Sequence, residues 1–320
     1  MLASLEIISP KVFGVDTVSW QTLLNLARVL MRKRFPALRQ MHSSSHEDQV
    51  CSFLWSWFAY LDVLGALSGG PRPSGSHLPL SMEESNDPDE IDCIMGFTTR
   101  CLHLLSETAD LARSSDRERI GSDNSVNPTW RPSSYTIEKA KYLDGALKES
   151  LSRQSTPCTH IPISLSGRNK IEVTATNEAF HWAALVQLHR RALGKSASHV
   201  DVAEAVGGIM GCLRRIRSGT AEMGMLFPMF TAGCEVVDKG AREEVLGRFR
   251  NVERNGMTQV CLPFIGSYFL LACPLSSYFL PHSRLATSMS SRPYTSVFPR
   301  LLLLNLTACY PSQHRGYAHI

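Results

Sequence analysis

The stretch NEAFHWAALVQLHRRAL, residues 177–193, decides how this sequence folds. Its apolar residues Phe180, Trp182, Leu185, Val186 and Leu188 recur at helical rather than alternating spacing. Glu178 lies near the start, and Arg190 and Arg191 lie near the end, where they oppose the helix dipole. A stripe of this kind is read as core packing ahead of a ligand pocket, because helical spacing alone produces it.

Downstream the helical pattern repeats at short intervals. Ser198-His-Val-Asp201 has the form of a capping box with Asp in place of Glu, and it opens a helix expected to run to about Arg217. Segments Glu222–Asp238 and Ala241–Asn255 continue the series through short glycine-containing turns, with Asn255-Gly256 as the last cap. Met223, Met225, Phe227, Met229 and Phe230 surround Pro228. Methionine-rich patches bind partners adaptably, but filling gaps inside a bundle is their commoner use.

Upstream, residues 154–173 carry Pro157 and Pro162 and read as loop, with a brief extended piece at most near Ile161, Ile163 and Leu165. Tyr135–Arg153 is expected to be an amphipathic helix, and residues 114–134 a mobile Ser/Asp/Asn/Pro linker. Asp89–Arg113 reads as a helix with Asp89, Glu90 and Asp92 at its positive end. A polar loop over 72–88 separates it from His46–Ser68, which is apolar nearly all round and stopped by Gly69-Gly70-Pro71. Residues 16–34 form a first helix capped by Asp16 and ended before Pro36. No segment alternates convincingly, so the fold class is all-α: a helical bundle or array over residues 16–260 after an N-terminal extension, 1–15.

Composition agrees with a folded body and marks off an unusual end. Hydrophobic residues make up 43% and charged residues 19% of the 320 positions, which is globular. Residues 261–320 contain Arg284, Arg292, Arg300 and Arg315 but no Asp, Glu or Lys. Without those four arginines the 33 basic residues become 29, equal to the 29 acids, so the body is neutral and offers no electrostatic footprint for a phosphate backbone. A poorly structured tail is expected over 261–320. Val260-Cys261 is encodable as GTATGT, a fungal intron start, and the tail is read as a retained intron or shifted frame. Residues 260–280 are apolar but broken by Pro263 and Pro274. The N-terminus lacks a basic start and Glu6 interrupts its apolar run, so cytosol or nucleus is expected rather than secretion.

Catalytic signatures are missing. Ser68 and Ser74 have the wrong neighbours for a nucleophile elbow, and His46-Glu47 is followed at position 50 by valine rather than histidine. His181 and His189 lie too far apart along a helix to share a metal and are read as surface or core histidines. An acid–base pair of His181 with Glu178 has little behind it. The arginines Arg190-Arg191 and Arg214-Arg215-Arg217 are read as opposing helix dipoles rather than touching nucleic acid. Nine singly scattered cysteines without a CxxC pair read as free, mostly buried thiols. No catalytic, cofactor-binding, metal or DNA-binding residue is assigned.

Several segments in order resemble the fungal-specific transcription factor domain. They are FLWSWFAYLDVLGALSGG (53–70), DEIDCIMGFTTRCLHLLSETADL (89–111), residues 177–193, and LFPMFTAGC (226–234) followed by AREEVLGR (241–248) and Gly256-Met257. The resemblance implies an all-helical regulatory domain in the nucleus, which is not an enzyme and acts through self-association, co-regulator contacts or metabolite sensing. Family members normally begin with a basic six-cysteine cluster holding two zinc ions. This sequence has no such segment, so zinc and DNA binding are implied only for a longer form. The family's final helix should also continue past Val260, where this sequence turns apolar. The competing expectation is a membrane-associated helical protein anchored through residues 260–280.

Overall fold

A computed structural model describes residues 26–31, 33, 46–67, 87–92, 95–121, 127–158, 167–217 and 219–254. The expected caps at 69–71 and 255–256, the Ile161–Leu165 alternation and the whole tail from 260 lie outside them. The described chain is all-α. After a helical run over 26–31 come α1 (His46–Leu67), α2 (Thr99–Arg119), α3 (Ser134–Ser152), α4 (Gly167–Gln187), α5 (Val200–Arg215), α6 (Gly219–Gly224), α7 (Leu226–Glu235) and α8 (Lys239–Arg254). Two short parallel strands, β1 (Glu90–Ile91) and β2 (Thr156–Pro157), pair beside them. Strand β2 lies at the start of the stretch expected to be loop over 154–173, and that loop does not reach 173, because α4 already begins at Gly167.

Helix α4 is the centre of the bundle: it packs most extensively on α5 and also meets α2, α3, α7 and α6. Ala175, Ala179 and Ala183, four residues apart, are fully buried and keep that approach close. Against α5 the fit is set by Trp182, since a Cβ on Gly208 would lie 2.4 Å from its indole ring. A row of rings, Tyr60–Phe97–Phe180–Phe227, crosses from α1 through α4 to α7 with centroids 5.7, 4.2 and 5.8 Å apart. Such pairs add about 0.5–1.5 kcal/mol each beyond burial. Arg28 and Asp62, both buried, pair between the 26–31 run and α1.

Five boundaries differ from the sequence expectations, the early start of α4 at Gly167 being the first. Helix α2 begins at Thr99, not Asp89. Asp92 accepts from Met95 N (2.9 Å), and Gly96 adopts φ +78 with its N–H on Asp92 O (2.9 Å), a turn that no helix can cross. Thr98 then caps α2 by accepting from Cys101 N at 3.1 Å. The same helix runs on to Arg119 through residues expected to be linker. Ser115 is buried there, and Asp116 pairs with Arg119 (2.8 Å) and with Arg191 of the turn after α4 (2.7 Å).

The cap of α5 is His199, whose Nδ1 accepts from Asp201 N at 3.3 Å; Ser198 Oγ pairs with Ser196 Oγ instead. The expected Glu222–Asp238 helix is two helices. Pro228 has no N–H to give to the Gly224 carbonyl, so the chain breaks at Met225 and restarts with Pro228 in the first turn of α7.

Candidate functional site

The polar groups of this body converge on α4 and divide into a neutral half and an ionic half. In the first, Asn177 links three elements: its Oδ1 accepts from Thr98 N (3.1 Å) and its Nδ2 donates to Ser155 Oγ (3.2 Å). Its carbonyl accepts from His181 Nδ1 at 2.8 Å. A carbonyl can only accept, so the proton of neutral His181 resides on Nδ1 and Nε2 accepts from Ser150 Oγ, also at 2.8 Å. Burial pushes the His181 imidazole below its ordinary pKa, against the hydrogen bond to Asn177.

Ser150 and His181 have the spacing of a nucleophile and its base. Ser150 is only 8% exposed, however, and the imidazole is oriented by a peptide carbonyl rather than a carboxylate. What this pair does in the fold is tie the end of α3 to the middle of α4. The acid–base pair of His181 with Glu178 does not form. The Glu178 carboxylate is held by the Arg215 guanidinium of α5, with Nη1–Oε1 at 3.1 Å and Nη2 on Oε2. Six residues nearer the N-terminus, buried Glu172 accepts from Arg217 N at 2.9 Å.

The ionic half is a π turn, Leu188–Ala192, that continues α4. Three consecutive basic residues there reach three different helices. His189 Nε2 lies 3.0 Å from Asp144 Oδ1 on α3, and Arg190 Nε lies 2.6 Å from Glu235 Oε2 on α7. Arg191 clasps Asp116 of α2 with Nε and Nη2 (3.0 and 2.7 Å) and donates to the Leu67 carbonyl (2.5 Å). Leu193 N bonds Leu188 O, and Gly194 ends the turn at φ +67 against the Trp130 ring. Lys195 Nζ meets the other His189 nitrogen, Nδ1, at 3.1 Å. Burial, then the Lys195 charge, hold the His189 pKa down.

Each sequence candidate can now be placed. His181 and His189 are both core histidines. Arg190, Arg191, Arg214 and Arg215 do more than oppose dipoles, because each binds a carboxylate on another helix, Arg214 taking Glu244 at 3.1 Å. Phe180, Leu185, Val186 and Leu188 are core, with Trp182 half-buried against α5. Met223, Met225, Phe227 and Met229 fill the interior, and Phe230 is half-buried. Glu222 pairs with Arg248 at 2.5 Å, which ties α6 to α8. The Asn177 hub and the π turn went unread because nothing local announces them; a run of His-Arg-Arg at a buried helix end was the available signal.

Cys101, Cys158, Cys212 and Cys234 lie on α2, after β2, on α5 and on α7 as free thiols. Burial pushes Cys212 up to about 11 and Cys234 up to about 12. A two-zinc cluster needs six closely spaced thiolates. These four dispersed thiols do not fit one, and among the described residues no group of three or more His, Cys, Asp or Glu could hold a metal.

Neither a curated protein nor a solved structure matches the chain. The family model for the fungal specific transcription factor domain matches residues 1–262 of the 320. With an all-helical body carrying the segments that resemble this domain, and more than half its length inside the match, the chain belongs to the fungal-specific transcription factor domain family.

Proposed function

We propose that this chain is the regulatory part of a fungal RNA polymerase II transcription factor: it works in the nucleus through contacts with co-regulators or another copy of itself, or through a small-molecule effector, and not as an enzyme or a DNA reader. The observation that carries the reading is the family match over residues 1–262, which supports a role in transcription regulation. Two physical facts favour the finer statement. The body carries equal numbers of acidic and basic residues, and the arginines at its helix ends are engaged by carboxylates of neighbouring helices rather than offered to phosphate. DNA contact belongs to a zinc-cluster segment of a longer form.

Tethering tests the proposal. The full chain, fused to a heterologous DNA-binding domain and brought to a reporter promoter in a fungal host, should change reporter output several-fold relative to the DNA-binding domain alone. Unchanged output with the fusion present in the nucleus would overturn it. The membrane reading is met by fractionating the same cells. Among the described residues no helix is long and apolar enough to cross a membrane, while residues 260–280 lie outside them. Quantitative recovery in carbonate-washed membranes would replace the nuclear reading.

A further inference from the structure

The segment between the π turn and α5 is fastened by Lys195. Its Nζ donates to His189 Nδ1 at 3.1 Å and to the Asp201 carboxylate near the start of α5. Its backbone is held too: Lys195 N donates to His189 O at 3.0 Å, and its carbonyl accepts from Arg190. At the far end His199 turns Nδ1 onto Asp201 N to cap α5, and the same nitrogen is 3.3 Å from Asp201 Oδ2.

This wiring requires both imidazoles to be neutral. With Nε2–H given to Asp144, His189 has one lone pair left, on Nδ1, and Lys195 uses it. A proton on that nitrogen would set an N–H against an ammonium at the same distance, and the contact would turn repulsive. A proton on His199 Nδ1 removes the lone pair that caps α5 and aims an N–H at the Asp201 carboxylate, which then competes with Lys195. Both events act on Lys195 in one direction.

The other charges nearby do not cancel this. From α3 come Asp144, which touches the His189 ring, and Lys148, on the other oxygen of Asp144 at 2.9 Å. From α5 come Asp201 and, acting at longer range on Lys148, Glu204. Asp116 of α2 is occupied by Arg191 and Arg119, and Glu235 of α7 by Arg190. Asp144 therefore keeps hold of a charged His189 while Lys195 is expelled, so the π turn stays seated.

We propose that Lys195 is a proton-operated latch: protonation of His189 and His199 releases residues 194–199 and the first turn of α5 while the helical bundle stays folded. The His189 trigger lies below the ordinary histidine value of about 6.5, because burial and the Lys195 charge hold that imidazole down. The His199 side chain, 41% exposed, is open to solvent protons.

Residue-resolved hydrogen exchange on the full chain, corrected for intrinsic rates, reads the latch directly. Between about pH 7.5 and about pH 5.5 the amides of Lys195, His199 and Asp201 should lose about tenfold of their protection, while those of Leu105 and Ile209 keep theirs. In a Lys195→Met chain the amides of Lys195 and His199 should be weakly protected at neutral pH and indifferent to acid, while Asp201 N keeps only the response that comes from the His199 cap. A His199→Asn chain, which keeps a capping side chain that cannot titrate, should show a smaller response than the parent. Retained protection at acid pH, uniform loss across the whole body, or a Lys195→Met chain with the parent's pH response would each overturn the proposal.

Discussion

His181 and His189 stand about two helical turns apart on one continuous element, and both are buried, yet they face different surroundings. The first touches a peptide carbonyl and a hydroxyl, the second a carboxylate and an ammonium. In the neutral half of α4 the hub around Asn177 and His181 is uncharged and matched one to one, while Glu178 pairs with Arg215 of α5 beside it. Packing decides that half. In the π turn the polar atoms are charged, and each ties α4 to a different helix, so electrostatics orients the neighbours. The contrast predicts that the two halves respond differently to cavities, salt and acid.

The largest effect belongs to the neutral half. Phe180 lies between Phe97 and Phe227 and is fully buried, so Phe180→Ala should cost about 3–5 kcal/mol in urea unfolding. The loss should be the same with or without about 1 M salt, because a cavity has no charge to screen. A cost under about 1 kcal/mol would mean the ring row does not organise the core.

Next comes the fit of α5 on α4. Gly208→Ala drives a methyl into the Trp182 indole, which has no flexible end to move aside, and should cost toward the upper end of about 1–3 kcal/mol. Gly211, on the same helix, has nothing within 4 Å of an added Cβ, so Gly211→Ala should gain up to about 1 kcal/mol from helix propensity. Equal signs for the two substitutions would show that Trp182 does not set the approach of these helices.

In the ionic half Arg191→Met removes the clasp on Asp116 and the bond to the Leu67 carbonyl. Arg119 still partners Asp116, so the expected cost is about 1–2 kcal/mol. It should shrink in about 1 M salt, unlike that of Phe180→Ala. If both losses ignore salt, the π turn is held by packing, and the distinction between the halves fails.

How much of this could be read from the sequence follows the same division. The apolar period of 177–193 announced α4 from Asn177 onward and its core face, because burying a stripe is a local property of the residues that form it, whereas the start of the helix, residues 167–173, read as loop. The hydrogen-bonded hub was hidden, because its partners are remote: Thr98 lies 79 residues from Asn177, Ser150 31 from His181, Asp144 45 from His189 and Asp116 75 from Arg191. Local dipole logic gave Arg190 and Arg191 a sufficient role in isolation, and only the fold supplies their carboxylates. The start of α2 was misplaced for a related reason. Asp89, Glu90 and Asp92 resemble a helix N-terminus, but Asp89 serves Arg100 (2.6 and 3.1 Å) and Asp92 serves the Gly96 turn. The resemblance to a family supplied what periodicity did not: a role for the whole body rather than for any one side chain.

Acid is the last way to separate the halves, and its sign follows from the two imidazoles. Both histidines are held below their ordinary pKa, chiefly by burial, so the unfolded chain binds protons more readily than the folded one. Their contribution is fully present above the unfolded value of about 6.5 and is lost as pH falls from there through the lower folded values. Unfolding free energy measured between neutral pH and about pH 5 should therefore decline. Ser150→Ala should cost about 1 kcal/mol at neutral pH, because it leaves Nε2 of His181 without its donor. Lys195→Met should flatten the acid decline by removing the cation that opposes charge on His189, and salt should reproduce part of that effect. His181 is governed chiefly by burial and its bond to the Asn177 carbonyl, with Glu178 and Asp89 acting at longer range, whereas His189 answers first to burial and then to the Lys195 ammonium in contact with its ring.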